Sequence, residues 1–126
     1  MPFKEAPLPD QCPPAEAVED AIAEAYRMVF ANPPSEDDFK SKRALGLAIP
    51  AGHDECGFAS CSLNTEFIHA QRLAQLPKPR EKGAMVAKVA IPPRWGKWIK
   101  NSKKHIHYWM YDEFDHTKVV IEVVTV

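Results

Sequence analysis

Twelve prolines divide this 126-residue chain into short pieces. Proline fixes φ and has no backbone N–H, so helices and central strands stop where it stands. Five of them fall within residues 1–14, which read as an irregular N-terminal arm. Pro33-Pro34, the Pro77 and Pro79 pair, and Pro92-Pro93 punctuate the remainder. Each element between them is therefore short.

Pro14 suits the first turn of a helix, and Ala15 to about Glu24 has helical spacing, with Val18 and Ile22 on one face. Ala25 to Phe30 either prolongs that helix or opens a strand. Ser35 with Asp38 resembles a capping box ahead of a helix from Glu36 to about Leu45, with Gly46 as its C′ residue. Phe58 to Leu63 reads as a strand. Asn64 then caps a helix from Thr65 to about Leu76, with Phe67, Ala70, Leu73 and Ala74 as its buried stripe. Ala84 to Ile91 is a strong strand, Trp95 to Ile99 a short strand or turn, and His105 to Tyr111 an aromatic strand. A polar turn follows, and Lys118 to Val126 reads as a central strand. The order implies one α+β domain over residues 15–126 with a mainly antiparallel sheet.

Three cysteines, Cys12, Cys56 and Cys61, make an odd count without a disulfide framework. With no apolar signal core after Met1 and no run of apolar residues long enough for a membrane helix, a cytoplasmic protein with no membrane partner is expected. The net charge of −1 conceals an asymmetry. Residues 72–104 hold ten basic residues and one acid, and the rest of the chain holds six basic and sixteen acidic residues. The basic block can pair with the acidic remainder across the fold, or meet an anionic partner such as nucleic acid or a dinucleotide.

The chemistry-bearing stretch is Cys56-Gly57-Phe58-Ala59-Ser60-Cys61-Ser62-Leu63. Residues two apart on a strand share a face, so Ser60 and Ser62 can present two hydroxyls to one polar ligand, and Arg27 on a neighbouring strand adds a fixed positive charge. The plainer alternative is local hydrogen bonding by the serines. Tyr26-Arg27, a helix ending at Gly46, the segment Gly57 to Leu63 with its following helix, and the strand Met85–Ile91 with Pro92 together resemble the ADP-ribosyltransferase-like fold. In that family an arginine on the first strand and an aromatic-x-Ser-Thr-Ser segment help bind NAD. The resemblance implies that Arg27 contacts phosphate and that Ser60 and Ser62 shape the nicotinamide-ribose side, with Cys61 in place of the middle threonine. The family's catalytic Glu-x-Glu corresponds here to His105-Ile106-His107, and Glu113 stands six residues beyond. His105, His107 and Glu113 are thus the candidates for the missing acid's place. Histidine does not supply a carboxylate's negative charge to an oxocarbenium-like centre, so weak or absent transferase activity is expected unless Glu113 reaches the cleft from its turn.

Three other constellations compete. His53, Cys56, Cys61, His105 and His107 are metal-ligating types, although their spacing matches no standard zinc motif, and no metal is assigned. A Cys-His nucleophile lacks any local signature. Arg94-Trp95-Gly96-Lys97-Trp98-Ile99-Lys100, followed by Lys103 and Lys104, suits a non-catalytic module in which tryptophans stack on bases and lysines track phosphates. The same tryptophans equally suit core anchors fringed by lysines. The leading expectation is a catalytically degenerate domain that binds NAD or a related nucleotide, with a protein or nucleic acid as candidate macromolecular target. The alternative is a protein- or nucleic-acid-interaction module using residues 94–104.

Overall fold

The computed structural model describes residues 2–126. Six strands form one sheet: β1 (Ile22–Val29), β2 (Cys61–Asn64), β3 (Met85–Ile91), β4 (Gly96–Lys100), β5 (His105–Met110) and β6 (Val120–Thr125). Their order is β4-β5-β2-β1-β3-β6, with every neighbouring pair antiparallel. Four helices are short: α1 (Glu55–Phe58), α2 (Phe67–Ala74), α3 (Pro77–Glu81) and α4 (His116–Val119). The α+β class and the antiparallel sheet expected from the sequence are both present.

Strand alternation sorts side chains to two faces. On one face Ala25, Val29, Leu63, Ala87, Val89, Ile106 and Tyr108 join Phe39 and Phe114, which cover them from the loops. On the other, α2 lays Ala70 and Ala74 against Val86, with Tyr26 and Met28 alongside. Alanines at this contact let the helix axis approach the sheet closely. Leu73, expected in that buried stripe, is instead exposed. At the β4 edge, a Cβ on Gly96 would stand 2.5 Å from the Trp109 carbonyl, so only glycine lets β4 lie so close to β5.

Several expectations give way to tertiary pairing. Residues 15–21 form no helix. Val18 bridges to Trp98, and β1 begins at Ile22, because six register contacts with β3 outweigh the local helical spacing. The helix from Glu36 stops after one 3-10 turn at Phe39, although the Asp38 carboxylate does accept from Ser35 N as a capping box requires. Gly46 takes the expected left-handed φ of 79°, but at a turn rather than after a helix. Pro77 begins α3 instead of ending its predecessor, since the first helical turn tolerates a missing N–H. β6 is an edge strand with Ile121 exposed, not a central one.

The cysteine reading is also corrected. Cys12 and Cys56 form a disulfide across 44 residues, and Cys61 alone is free and buried. The odd count concealed one pair. That bond and further contacts hold the N-terminal arm onto the domain: Asp112 N donates to the Pro2 carbonyl, Phe3 bridges to Tyr111, Lys4 N donates to the Met110 carbonyl, and Glu5 accepts from Ser41. Between the basic block and the rest of the chain, the ion pair found among the described residues is Lys88 with Glu24 at 3.6 Å. Among the described residues, direct pairing between the basic block and the acidic remainder is therefore sparse. Among the described residues, no helix is long and apolar enough to cross a membrane.

Candidate functional site

Register between β2 and β5 builds the site. Ser62 pairs with His107 and Asn64 with His105, so His105 and His107 project from the same sheet face as Ser62, while Cys61, Leu63, Ile106 and Tyr108 point into the core. A cleft of about 330 Å3 lies over this face, lined by Ser60, Ser62, His105, His107, Lys42, His53, Asp54, Gly57, Phe58 and Asn101. Ser60 precedes β2 rather than lying within it, yet it reaches the same cleft.

One turn of helix closes the cleft's side. The Asp54 carboxylate caps α1 by accepting from Cys56 N and Gly57 N, both at 3.1 Å. The Trp109 indole N–H donates to the Cys56 carbonyl at 2.9 Å and ties α1 to β5. A Cβ on Gly57 would lie 3.0 Å from His107 Cε1 and 3.1 Å from its Nε2. Glycine there leaves that edge of the ring uncovered.

Hydrogen bonding fixes the tautomer of both imidazoles. Ser60 Oγ lies 2.6 Å from the Gly57 carbonyl and 2.8 Å from His107 Nδ1. Two oxygens so close repel unless a proton lies between them, and a carbonyl only accepts, so the Ser60 hydroxyl donates to Gly57. His107 Nδ1–H then donates to Ser60 Oγ, and His107 Nε2 carries a bare lone pair. His105 Nδ1 is 2.7 Å from the Asn101 side-chain carbonyl, which also only accepts, so its Nε2 is bare as well. The rings are 4.8 Å apart and edge to face.

Burial keeps both rings neutral. It pushes His105 down to about 4, helped by repulsion from His107, Arg27 and Lys42. It lowers His107 too, against the opposing pull of the Asp54 carboxylate. The result is a pair of neutral acceptors beside one lysine.

Two of the expected residues stand elsewhere. Arg27 alternates onto the face of Ala25 and Val29, opposite the histidines, and its guanidinium donates to three backbone carbonyls: Asp38 at 3.0 Å, Ser62 at 2.9 Å and Lys40 at 3.2 Å. It braces the chain after β1 against β2. Glu113 lines a separate groove of about 780 Å3, with Phe39, Phe114, Glu36 and Arg43 among its walls. The cleft therefore gathers Ser60, Ser62, His105 and His107, but neither Arg27 nor Glu113.

The competing constellations also resolve. Cys56 is consumed by the disulfide, and burial pushes the Cys61 thiol up, so neither offers a thiolate. Among the described residues, no group of three or more His, Cys, Asp or Glu is placed to hold a metal ion. Trp95 and Trp98 pack against the core, and the Trp98 N–H donates to the Asp20 carbonyl at 2.8 Å. Sequence reading missed Lys42, Asp54 and Asn101, which reach the cleft from loops. Asp54 alone left a signal, as an N-cap residue before Glu55.

No family model, curated protein or solved structure matches this chain.

Proposed function

We propose that the cleft over β2 and β5 binds NAD or a related nucleotide, in the manner implied by the resemblance to ADP-ribosyltransferase-like domains, and that it binds far better than it turns over. The convergence of Ser60, Ser62, His105 and His107 on one concave face, from segments more than forty residues apart, carries this reading. In it the bare Nε2 atoms of His105 and His107 accept hydrogen bonds from ribose hydroxyls. Lys42 takes the phosphate-facing role that the resemblance gives to Arg27. Ser60 orients His107 and is not itself a nucleophile, since its proton is committed to Gly57.

Chemistry is the weak part of such a site. Transfer from NAD develops positive charge at the ribose, and the cleft holds neutral rings where a carboxylate is needed. Asp54 spends both its oxygens on α1. Glu113 lies in the other groove.

Calorimetric titration with NAD tests the reading. Wild type binds, and Lys42→Ala weakens binding by roughly tenfold, the scale of one charge-assisted hydrogen bond. Absence of binding at millimolar NAD defeats the proposal. His107→Glu, which restores a carboxylate, raises NAD hydrolysis above the wild-type level if turnover is limited as argued. Any macromolecular target belongs to the same proposal. So does a cytoplasmic setting, which requires the Cys12–Cys56 bond to persist among reducing thiols.

A further inference from the structure

The chain between the two sides of the cleft is unusual in the fold. Every residue from 42 to 55 is exposed, including Leu45 at 46%, Leu47 at 55% and Ile49 at 38%. Three aliphatic side chains lie within five residues, on a segment with no helix or strand of its own. Among the described residues, the hydrogen bonds made by residues 45–53 go to the segment itself or to the residues just ahead of it: Leu45 N to Ser41, Gly46 N to Arg43, Leu47 N to Lys42 and His53 N to Pro50. Nothing in that set ties it to the sheet.

Its two ends are firm by contrast. Arg43 N donates to the Phe58 carbonyl, and Ala44 N to Ser41 Oγ. At the far end Asp54 caps α1, and the disulfide at Cys56 follows at once. Lys42 before the segment and His53 and Asp54 after it all line the cleft. Compact loops whose ends meet in this way are frequently functional. Gly46 and Gly52 take left-handed φ values of 79° and 80°, with nothing within 4 Å of where a side chain would begin. They mark two points at which the chain can swing without a steric cost.

We propose that residues 43–52 form a lid that folds over the cleft when a nucleotide occupies it, burying Leu45, Leu47 and Ile49 against the ligand and the cleft rim. Doubled back, ten residues reach on the order of 15 Å, enough to cross a cleft of about 330 Å3. Closure excludes water from around Lys42 and the two imidazoles, which strengthens each polar contact inside. The open form leaves the apolar side chains in water, and the closed form gains their burial only with ligand present. The lid rests on the nucleotide reading of the same cleft.

The experiment is amide hydrogen exchange of the full chain with and without saturating NAD, joined to calorimetry on wild type and on the triple variant Leu45→Ser, Leu47→Ser, Ile49→Ser. NAD slows exchange across residues 43–52 by at least about tenfold, and the variant binds NAD about tenfold more weakly with an unchanged melting temperature. The unchanged melting temperature shows that the variant folds. NAD that binds by calorimetry yet leaves residues 43–52 unprotected overturns the lid alone. So does wild-type affinity in the triple variant, or a wild-type dimer that the variant loses while its NAD affinity is unchanged, which assigns the apolar residues to a second copy. Wild type that binds no NAD overturns the nucleotide reading and the lid with it.

Discussion

The larger groove and the smaller cleft lie on the same molecule and differ in how their polar groups are occupied. In the groove, Glu5 accepts from Ser41, Lys40 pairs with Asp37 at 2.8 Å, and Asp115 accepts from Thr117. Phe39 packs on Phe114 and His116. These interactions serve the fold, joining the N-terminal arm, the turn after β1 and the segment after β5. In the cleft, His105 and His107 each have one nitrogen fixed by a neighbour and the other bare. Volume alone points to the groove. Glu36, Arg43, Asp112 and Glu113 also line the groove without a side-chain partner among the described residues, but they are exposed and unfixed, whereas the half-buried imidazoles of the cleft hold their spare capacity in a preset direction. That difference points to the cleft.

The largest test of that contrast cuts a feature shared by both hollows. Cys12 belongs to the arm that walls the groove, and Cys56 lies in the turn beside the cleft. A cross-link spanning 44 residues stabilises by about 4 kcal/mol in the chain-entropy description. The Cys12→Ser, Cys56→Ser double variant should lose roughly that much in urea unfolding, as should wild type in reductant. An unchanged midpoint would show that the arm is held by its other contacts.

Arg27 comes next. If it is a brace and not a ligand contact, Arg27→Ala destabilises by about 2–3 kcal/mol through three deprived carbonyls. NAD affinity of the folded fraction then changes little. Arg27→Lys fails to rescue, because one ammonium group cannot serve three carbonyls set around a planar fork. A variant that keeps its stability and loses NAD would return Arg27 to the site.

The smallest effect is a pH dependence confined to the cleft. His105 is pushed down to about 4 in the folded protein, against an ordinary value near 6.5. The unfolded chain therefore takes up the proton first as pH falls. Its contribution to stability is complete above about pH 6.5 and is lost progressively towards pH 4. Thermal melts across that window should show a decline that His105→Gln flattens. A slope unaltered by the substitution would assign the titration to another group.

How much of this was legible in the sequence depended on where each residue's partners lay. Ser62, His105 and His107 were readable because strand alternation and one pairing register suffice to bring them together, whereas Ser60 reaches the cleft from just ahead of β2. Glu113 was misplaced because the backbone leaves the strand at Tyr111, and no pattern says which way the turn goes. Arg27 has the right neighbours in sequence and the wrong face, a difference of one residue in alternation. Lys42 and Asn101 carry no periodic signal, since each arrives from a loop. Residues 22–24 of the first strand read as helix in the sequence and residues 25–30 stay open between helix and strand, because Ile22, Ala25 and Val29 satisfy a helical spacing as well as they satisfy burial in a sheet.

The strand order has a consequence for how the chain reaches this state. Only β1 with β2 and β4 with β5 join strands adjacent in sequence. β1 also pairs with β3, β2 with β5, and β3 with β6, each across intervening elements. Loop-closure entropy must be met before any of these distant pairs is rewarded, and chains dominated by such pairings fold in roughly milliseconds to seconds. The β2–β5 pairing that assembles the cleft cannot form until the chain is available through β5, which ends at Met110. A ribosome-bound chain that ends before His105 therefore has a partial sheet and no site.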